Sequence, residues 1–350
     1  EQHDWRSFSP SEQRQQLDNF LESERKIGFK LSQAPLMRLI LIRIADDGYY
    51  FVWNKHHLIM DGWSTALVLK LVVEVYQAFC LGQNVPLATS SYGDHISWLQ
   101  QQDLSTAEVF WRKVLKGIEA PTSLNYLQVN RLSGQEEKHN QQTIKLSNST
   151  TGKLQVLVRQ YGLTLNTLVQ GAWAILLSRY TGEEDVIYGV TVSGRPAELP
   201  KVESTVGMFI NTLPMRVKLA GGDFLLPWLQ QLQAQLIEIR QYEYSPLVEI
   251  QGWSEIPRGL PLFESILVFE NYPPIEEMSQ DSQSNLEIQD VTYFDQTNYP
   301  LTIAVIPGNE LNIRISYNSG FDLDNITRMV GLLQTLLEAI VANPQQKLSD

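Results

Sequence analysis

Residues 49–64 read YYFVWNKHHLIMDGWS, and this stretch decides how the rest of the chain is interpreted. An apolar, aromatic run leads into two adjacent histidines, and an acid follows the second histidine by four positions. A DDG turn at 46–48 predicts that residues 37–44 and 49–57 are two paired strands. The stretch therefore places a proton acceptor, a carboxylate and a glycine at the end of a predicted strand.

Downstream of the histidines, the pattern predicts a long helix. Ser64 is a suitable cap for a helix that runs to Phe79, with an apolar stripe at Leu67, Leu71, Val75 and Phe79. Helices and strands then alternate without a strict βαβ rhythm, so we predict an α/β fold with mixed sheets. Further helices are predicted over 10–26, 93–115, 151–161, 165–180, 225–242 and 323–341, and further strands over 185–192, 209–219, 265–269, 301–306 and 311–317.

The composition limits the class of protein. With 350 residues, 43% of them hydrophobic, the chain is long enough for two lobes with a substantial core. The net charge of -12 argues against nucleic acid and anionic membrane surfaces as partners. No apolar run is predicted to span a bilayer. The single cysteine, Cys80, excludes an internal disulfide, is typical of a cytoplasmic protein and is expected to be buried.

The pattern is weakest where glycine and proline interrupt polar residues after residue 116. We therefore predict an inter-lobe linker at 117–142, between a partial N-terminal lobe at 1–116 and a C-terminal lobe at 143–350. A second polar stretch, 272–290, is predicted to be an exposed loop.

The two histidines differ in what they can do. Side chains alternate faces along a strand, so only one of His56 and His57 can point into a given cavity. Histidine is the side chain best suited to accept a proton at neutral pH. A buried Asp61 would need a cation or several donors, and Arg195, in a loop after a predicted strand, is the candidate cation. A solvated strand end and a metal site are the alternatives, but five histidines provide no further ligand cluster.

At this point the chain can be compared with a known family. The HHxxxDG pattern at 56–62 resembles the core motif of condensation domains in nonribosomal peptide synthetases. The family's other motifs have counterparts in the same order, at 91–98 (SYGDHISW, with His95 where an aromatic residue is usual), 110–111 (FW), 184–196 (EDVIYGVTVSGRP), 206–212 (VGMFINT), 244–247 (YSPL), 298–301 (NYPL) and 316–322 (SYNSGFD). The beginning departs from the family, because its S-x-A-Q-x-R-type and R-H-E-x-L-R-T-type motifs are missing. We therefore expect a first lobe that is truncated.

The resemblance implies a two-lobed fold similar to chloramphenicol acetyltransferase, with a tunnel between the lobes. It implies that an acyl or aminoacyl thioester is attacked by the amine of an acceptor, which forms an amide bond. Both substrates would arrive on 4′-phosphopantetheine arms of upstream and downstream peptidyl carrier domains, next to an adenylation domain. No cofactor would be bound directly, and no metal, nucleic acid or membrane is expected. The expected location is cytoplasmic.

The resemblance also assigns roles to individual residues. His57, the second histidine of the motif, is expected to act on the reactants, while Asp61 would pair with Arg195. The sequence Asp61-Gly62-Trp63-Ser64 resembles that of the family's domains that join an L-configured donor to an L acceptor. The supporting residues implied by the motifs are His56, Asp61, Gly62, Trp63, Arg195, Asn211 and Asn298.

Three alternatives stay open at this level. His57 could act as a general base, or it could orient the amine and stabilise the charged intermediate. An epimerisation domain shares the histidine motif but brings an additional glutamate and flanking motifs that are not found here. A condensation-like module that only recruits partners tends to have a degraded histidine motif, whereas this one is intact.

Overall fold

We describe the chain from a computed structural model over residues 1–85, 90–127, 139–271 and 286–350. The contacts divide the chain into two compact units. The first unit comprises Glu1–Tyr92 together with Glu203–Phe209, and the second comprises Gly93–Val202 together with Ile210–Asp350. Residues 128–138 of the predicted linker and 272–285 of the predicted loop lie outside the described residues. The predicted lobe boundaries stay a prediction.

In the described residues of the first unit, three strands form a sheet in the order β1-β2-β3. β1 is parallel to β2, and β2 is antiparallel to β3. Ile40 and Ile42 of β2 are buried on one face, whereas Leu39 and Leu41 are exposed on the other. The elements are β1 (Gln2–Asp4), α1 (Pro10–Ile27), β2 (Met37–Arg43), β3 (Tyr49–Lys55), a 3-10 turn (His57–Ile59) and α2 (Gly62–Cys80).

Helix α1 begins and ends where its sequence provides the appropriate caps. The backbone N–H of Ser9 donates to the Glu12 carboxylate at 2.8 Å, and Pro10 occupies the first helical position. Gly28, with φ of 58°, ends the helix in a conformation that other residues rarely adopt. The helix predicted over 10–26 is therefore confirmed.

The end of β3 differs from its prediction. The strand ends at Lys55, so His57 does not continue the alternation of the strand but begins the 3-10 turn. The N–H of His56 still donates to the Leu36 carbonyl, and the chain leaves the sheet after it because the His56 ring caps the N–H of Leu58. The first bond continues the register of the two strands by one residue, and the second begins the 3-10 turn.

Helix α2 also differs from its prediction. Asp61, not Ser64, is its N-cap. The predicted apolar stripe is partly wrong, since Leu71 is 37% and Phe79 69% exposed, and Cys80 is exposed where burial was expected. Within the described residues, α2 is the one helix that is long and apolar enough to cross a membrane. Core helices of other proteins meet the same two criteria, so length and composition do not make α2 a membrane span.

The described strands of the second unit form a six-stranded sheet in the order β4-β9-β8-β7-β5-β6. β7 pairs in parallel with β5 and with β8, and the other neighbours are antiparallel, so the predicted mixed α/β architecture is confirmed. The elements are α3 (Tyr92–Gln100), α4 (Leu104–Leu115), β4 (His139–Lys145), α5 (Asn148–Tyr161), α6 (Leu165–Thr181), β5 (Asp185–Val192), β6 (Asn211–Lys218), α7 (Leu225–Arg240), α8 (Leu247–Trp253), β7 (Ser265–Phe269), β8 (Leu301–Ile306), β9 (Asn312–Asn318) and α9 (Leu323–Ala342).

The helices of the second unit pack around a core centred on α6. Trp173 is fully buried, and Gly171 lies against Trp228, which α7 contributes. Burial on nearly all sides explains why α6 has an apolar sequence with little periodicity. The helix expected over 93–115 is divided in two by the Asp103 cap, and α8 was not predicted. β4 begins at His139, within the stretch 117–142.

Candidate functional site

The two histidines occupy one tight turn but make different contacts. The backbone and ring of His56 are both hydrogen-bonded, since its N–H donates to Leu36 O at 2.9 Å and its Nδ1 accepts the N–H of Leu58 at 3.1 Å. The ring of His57 is half-buried. Its Nδ1 atom is buried and has no hydrogen-bond partner within residues 1–85, 90–127, 139–271 and 286–350. One imidazole is therefore committed to the turn, and the other has a ring nitrogen without a partner among the described residues.

Asp61 lies four residues after His57 and is fully buried. One carboxylate oxygen accepts the N–H of Ser64 at 2.8 Å, and the other accepts the N–H of Phe209 at 3.0 Å. The first bond caps α2, whose N-terminal dipole favours a negative charge. Backbone donors thus provide much of what a buried carboxylate needs. The predicted pairing with Arg195 involves a residue of the second unit and stays a prediction.

The segment Glu203–Phe209, which we call the strap, belongs to the same unit as the histidines. The Ser64 hydroxyl donates to Gly207 O at 2.8 Å and accepts the Gly207 N–H at 3.0 Å. The N–H of Asp61 also donates to Gly207 O, at 3.2 Å. The strap is therefore bound to the first turn of α2 by main-chain and side-chain hydrogen bonds.

Two aromatic residues hold the strap at its ends. The indole N–H of Trp63 donates to Glu203 O at 2.8 Å. The Tyr92 hydroxyl donates to Met208 O, and the Tyr92 ring lies against Gly207, where any Cβ atom would collide with it. Sequence reasoning missed these contacts, although Tyr92 and Gly207 both stand in motifs that it singled out.

Gly62 is the first residue of α2 and has helical backbone. A glycine directly after the cap leaves the start of the helix free of a side chain. The turn therefore brings together His56, His57, Asp61, Gly62 and Trp63 within a single unit.

In the second unit, Arg195 lies in the loop that follows β5, after Gly194 with φ of 60°. Its guanidinium donates to Val202 O. His95 is only 5% exposed, and its ring stacks on Trp98 at a centroid distance of 5.9 Å. Burial, followed by the positive charge of Arg195, lowers the pKa of His95. This histidine is consequently kept neutral around physiological pH.

Asn211 is the first residue of β6 and binds a distant turn. Its Nδ2 donates to Glu243 O at 2.9 Å and to Ser245 O at 2.7 Å. The fully buried Ser245 hydroxyl in turn accepts the indole N–H of Trp111 at 3.0 Å. Asn298, by contrast, is exposed in the bend before β8. Burial raises the pKa of Glu243, whose backbone Asn211 holds.

No group of three or more His, Cys, Asp or Glu residues in the described parts of the chain is arranged to hold a metal ion. The chemistry that the turn itself offers is that of an imidazole beside a rigid, capped helix start.

Comparison with known proteins identifies the family. The sequence matches the family described as Condensation domain over residues 2–350. It is 45% identical to one of the linear gramicidin synthase proteins of Brevibacillus parabrevis, an alignment that covers all of this chain but 4% of that protein. The chain thus spans a small part of the relatives that it matches.

Two solved structures have the same fold. One is a four-domain nonribosomal peptide synthetase bound to AMP and glycine, with a TM-score of 0.79, 22% identity and coverage of 99% of this chain and 27% of the other. The second is the X-domain from teicoplanin biosynthesis in complex with OxyB, with a TM-score of 0.73, 20% identity and coverage of 92% and 74%. The chain belongs to the condensation-domain family, whose members form amide bonds in nonribosomal peptide synthetases.

Proposed function

We propose that this chain joins a thioester-bound acyl or aminoacyl donor to the amine of a thioester-bound acceptor, with His57 at the reacting atoms. The observation that carries the proposal is the Nδ1 atom of His57, which is buried and makes no hydrogen bond to the described residues. Buried polar atoms in proteins are nearly always paired, so an unpaired imidazole nitrogen calls for an explanation, and a role in catalysis is one.

The chemistry of the proposed reaction fits an imidazole at the reacting atoms. An amine that attacks a thioester loses a proton and passes through a tetrahedral oxyanion. A histidine within hydrogen-bond reach can accept that proton, which typically accelerates a reaction about 100- to 10,000-fold. It can also orient the amine or stabilise the charged intermediate. Both roles need a ring in a fixed place, and the buried hydrogen bonds of Asp61 stabilise the turn that carries it.

The substrates and partners are part of the same proposal. We infer that both reactants arrive on 4′-phosphopantetheine arms of upstream and downstream peptidyl carrier domains, beside an adenylation domain, in a cytoplasmic synthetase. A relative that is part of linear gramicidin synthase and a fold neighbour that is a four-domain synthetase support this setting. The Asp61-Gly62-Trp63-Ser64 sequence supports an L-configured donor and an L acceptor. A comparison of product yields from L- and D-donors tests that subtype.

A non-catalytic recruiting module is the second candidate. The specific observation in its favour is the fold shared with an X-domain whose structure was solved as a complex with OxyB. The intact histidine motif and the available ring nitrogen of His57 count against it. A recruiting module would retain its partner after the histidine is replaced and would show no amide formation beforehand.

The deciding experiment is His57→Ala in the full-length protein, with loaded donor and acceptor carriers. We expect amide formation to fall by at least about 100-fold, because the imidazole is the proposed proton acceptor or positioning group. His3→Ala is the matched control, since His3 is a partly exposed histidine of the same unit outside the turn. A folded His57→Ala variant that forms product at the normal rate contradicts the proposal.

A further inference from the structure

A buried polar cluster joins the C-terminal end of α1 to the sheet that carries the histidines. Its centre is the carboxylate of Glu24, a residue only 8% exposed. One carboxylate oxygen, Oε2, accepts both the Arg38 Nε–H and the Asn54 Nδ2–H at 2.8 Å. Arg38 and Asn54 are directly opposite each other on β2 and β3. A single carboxylate therefore connects one helix to two adjacent strands.

Arg38 extends the cluster to the residues that follow α1. Its guanidinium also donates to Gly28 O at 2.8 Å and to Glu24 O at 3.2 Å. These carbonyls belong to the end of the helix, where backbone acceptors otherwise lack partners. The guanidinium carbon lies 4.4 Å from the centre of the Phe29 ring, which is within the range of a cation–π contact. Phe29 is thus held against the sheet.

The Phe29 ring contacts the histidine turn. The Phe29 and His56 rings form a T-shaped pair with a centroid distance of 6.2 Å and an interplanar angle of 89°. His56 is therefore restrained from three sides: by Leu36 through its backbone, by Leu58 through its own ring, and by Phe29 from the end of α1. Asn54, two residues earlier on β3, is fixed by the same cluster.

We propose that Phe29, supported by Arg38 and Glu24, is a positioning residue for the reaction because it fixes His56 and with it the adjacent His57. This inference rests on the proposed catalytic use of His57. A partly buried ion pair adds little net stability over apolar packing, but its directional hydrogen bonds specify one arrangement of the end of α1. Reactions that depend on alignment can lose about 100-fold in rate from a displacement of about 1 Å far from the chemistry.

The test compares Phe29→Ala and the milder Phe29→Leu with Gln13→Ala in the full-length protein. Gln13 is the matched control: it is 7% exposed, and its Nε2 donates to Trp5 O and Ile44 O, both at 3.0 Å, far along α1 from the turn. We expect Phe29→Ala to lower the single-turnover rate of amide formation about 10- to 100-fold at saturating carrier substrate. Phe29→Tyr keeps the ring and should restore the rate.

A second readout does not depend on activity. The rate at which diethyl pyrocarbonate modifies the His57 ring, followed by peptide mass spectrometry, should change in Phe29→Ala and Phe29→Leu but not in Gln13→Ala. The inference is overturned if the Phe29 variants stay within about twofold of Gln13→Ala in both readouts at equal folded fraction. A change in ring modification together with full activity of His57→Ala would overturn only the catalytic use of His57 and leave the positioning of the turn supported.

Discussion

Replacing Gly207 by alanine should detach the strap from α2 because of a single steric conflict. A Cβ atom at this position would lie 2.1, 2.6 and 2.7 Å from three atoms of the Tyr92 ring, whereas ordinary contact begins at 3.4 Å. The ring would have to retreat by about 1.3 Å, an overpacking of the kind that forces neighbouring groups to shift.

The surroundings of Tyr92 oppose such a retreat. Its hydroxyl is bound to Met208 O, and its ring meets the Phe209 ring edge-on at a centroid distance of 5.1 Å. Overpacking in a well-packed site typically costs about 1–3 kcal/mol. We expect the free energy of opening the strap to fall by that amount, which corresponds to about 5- to 150-fold faster exchange of its amide protons.

Hydrogen exchange measures this effect directly, because two strap amides donate into the first turn of α2. The N–H of Gly207 is bound to the Ser64 hydroxyl and the N–H of Phe209 to the Asp61 carboxylate, so both should lose protection. Gly222→Ala is the matched control, since a Cβ atom there meets nothing within 4 Å. It should leave exchange in the strap unchanged.

A double-mutant cycle with Tyr92→Ala decides whether the ring is the cause. With the ring removed, the added methyl group has room, so Gly207→Ala should then cost less than about 0.5 kcal/mol. An equal loss of protection with and without the tyrosine would refute the reasoning.

Two further predictions concern buried ionisable groups. Asp61→Ala removes a helix cap and leaves the buried N–H of Phe209 without its acceptor, so the free energy of unfolding should fall by about 2–4 kcal/mol in urea titrations. Asp103→Ala, which removes the exposed cap of α4, should lower the free energy of unfolding clearly less. An equal decrease in both variants would contradict the argument that burial of Asp61 makes its loss more costly. His95 has a lowered pKa in the folded state, so the unfolded chain binds its proton more readily. The contribution of the His95 ring to the free energy of unfolding should be complete above the ordinary pKa of 6.5 and be lost as the pH falls below that value. His95→Phe should therefore make the free energy of unfolding less dependent on pH. An unchanged pH profile in that variant would argue against burial of the neutral ring.

Much of the secondary structure could be predicted because it follows from the local spacing of apolar residues and from turn residues. The strand at 185–192 has the predicted bounds, and the helix predicted over 225–242 ends within two residues of its predicted end. Predictions failed where a side-chain cap decides the boundary. The 3-10 turn begins at His57 because the His56 ring caps the N–H of Leu58, and α2 begins early because the Asp61 side chain caps it. No periodicity encodes either event.

In the candidate site, too, the sequence predicts the local features and not the long-range contacts. The motif located His56, His57 and Asp61 because they are neighbours in sequence. The acceptors and donors that hold them could not be read from spacing, since Phe209 lies 148 residues from Asp61. The hydrogen bond from Asn211 to the Ser245 carbonyl could not be predicted for the same reason, because the two residues are 34 positions apart. Local sequence indicates which residues carry chemistry, whereas the long-range contacts that restrain them require coordinates.

The strap has a consequence for how the chain matures during synthesis. The helix that follows the histidines can form early, but the carboxylate at its start lacks one donor until residue 209 has left the ribosome. By then the first strands of the second unit, up to residue 192, have already been translated. A nascent chain halted between the two events would leave this carboxylate hydrated by water instead of bound to Phe209. The first unit is therefore completed only when residues 203–209 are available, and cleavage after residue 92 would separate it from this segment.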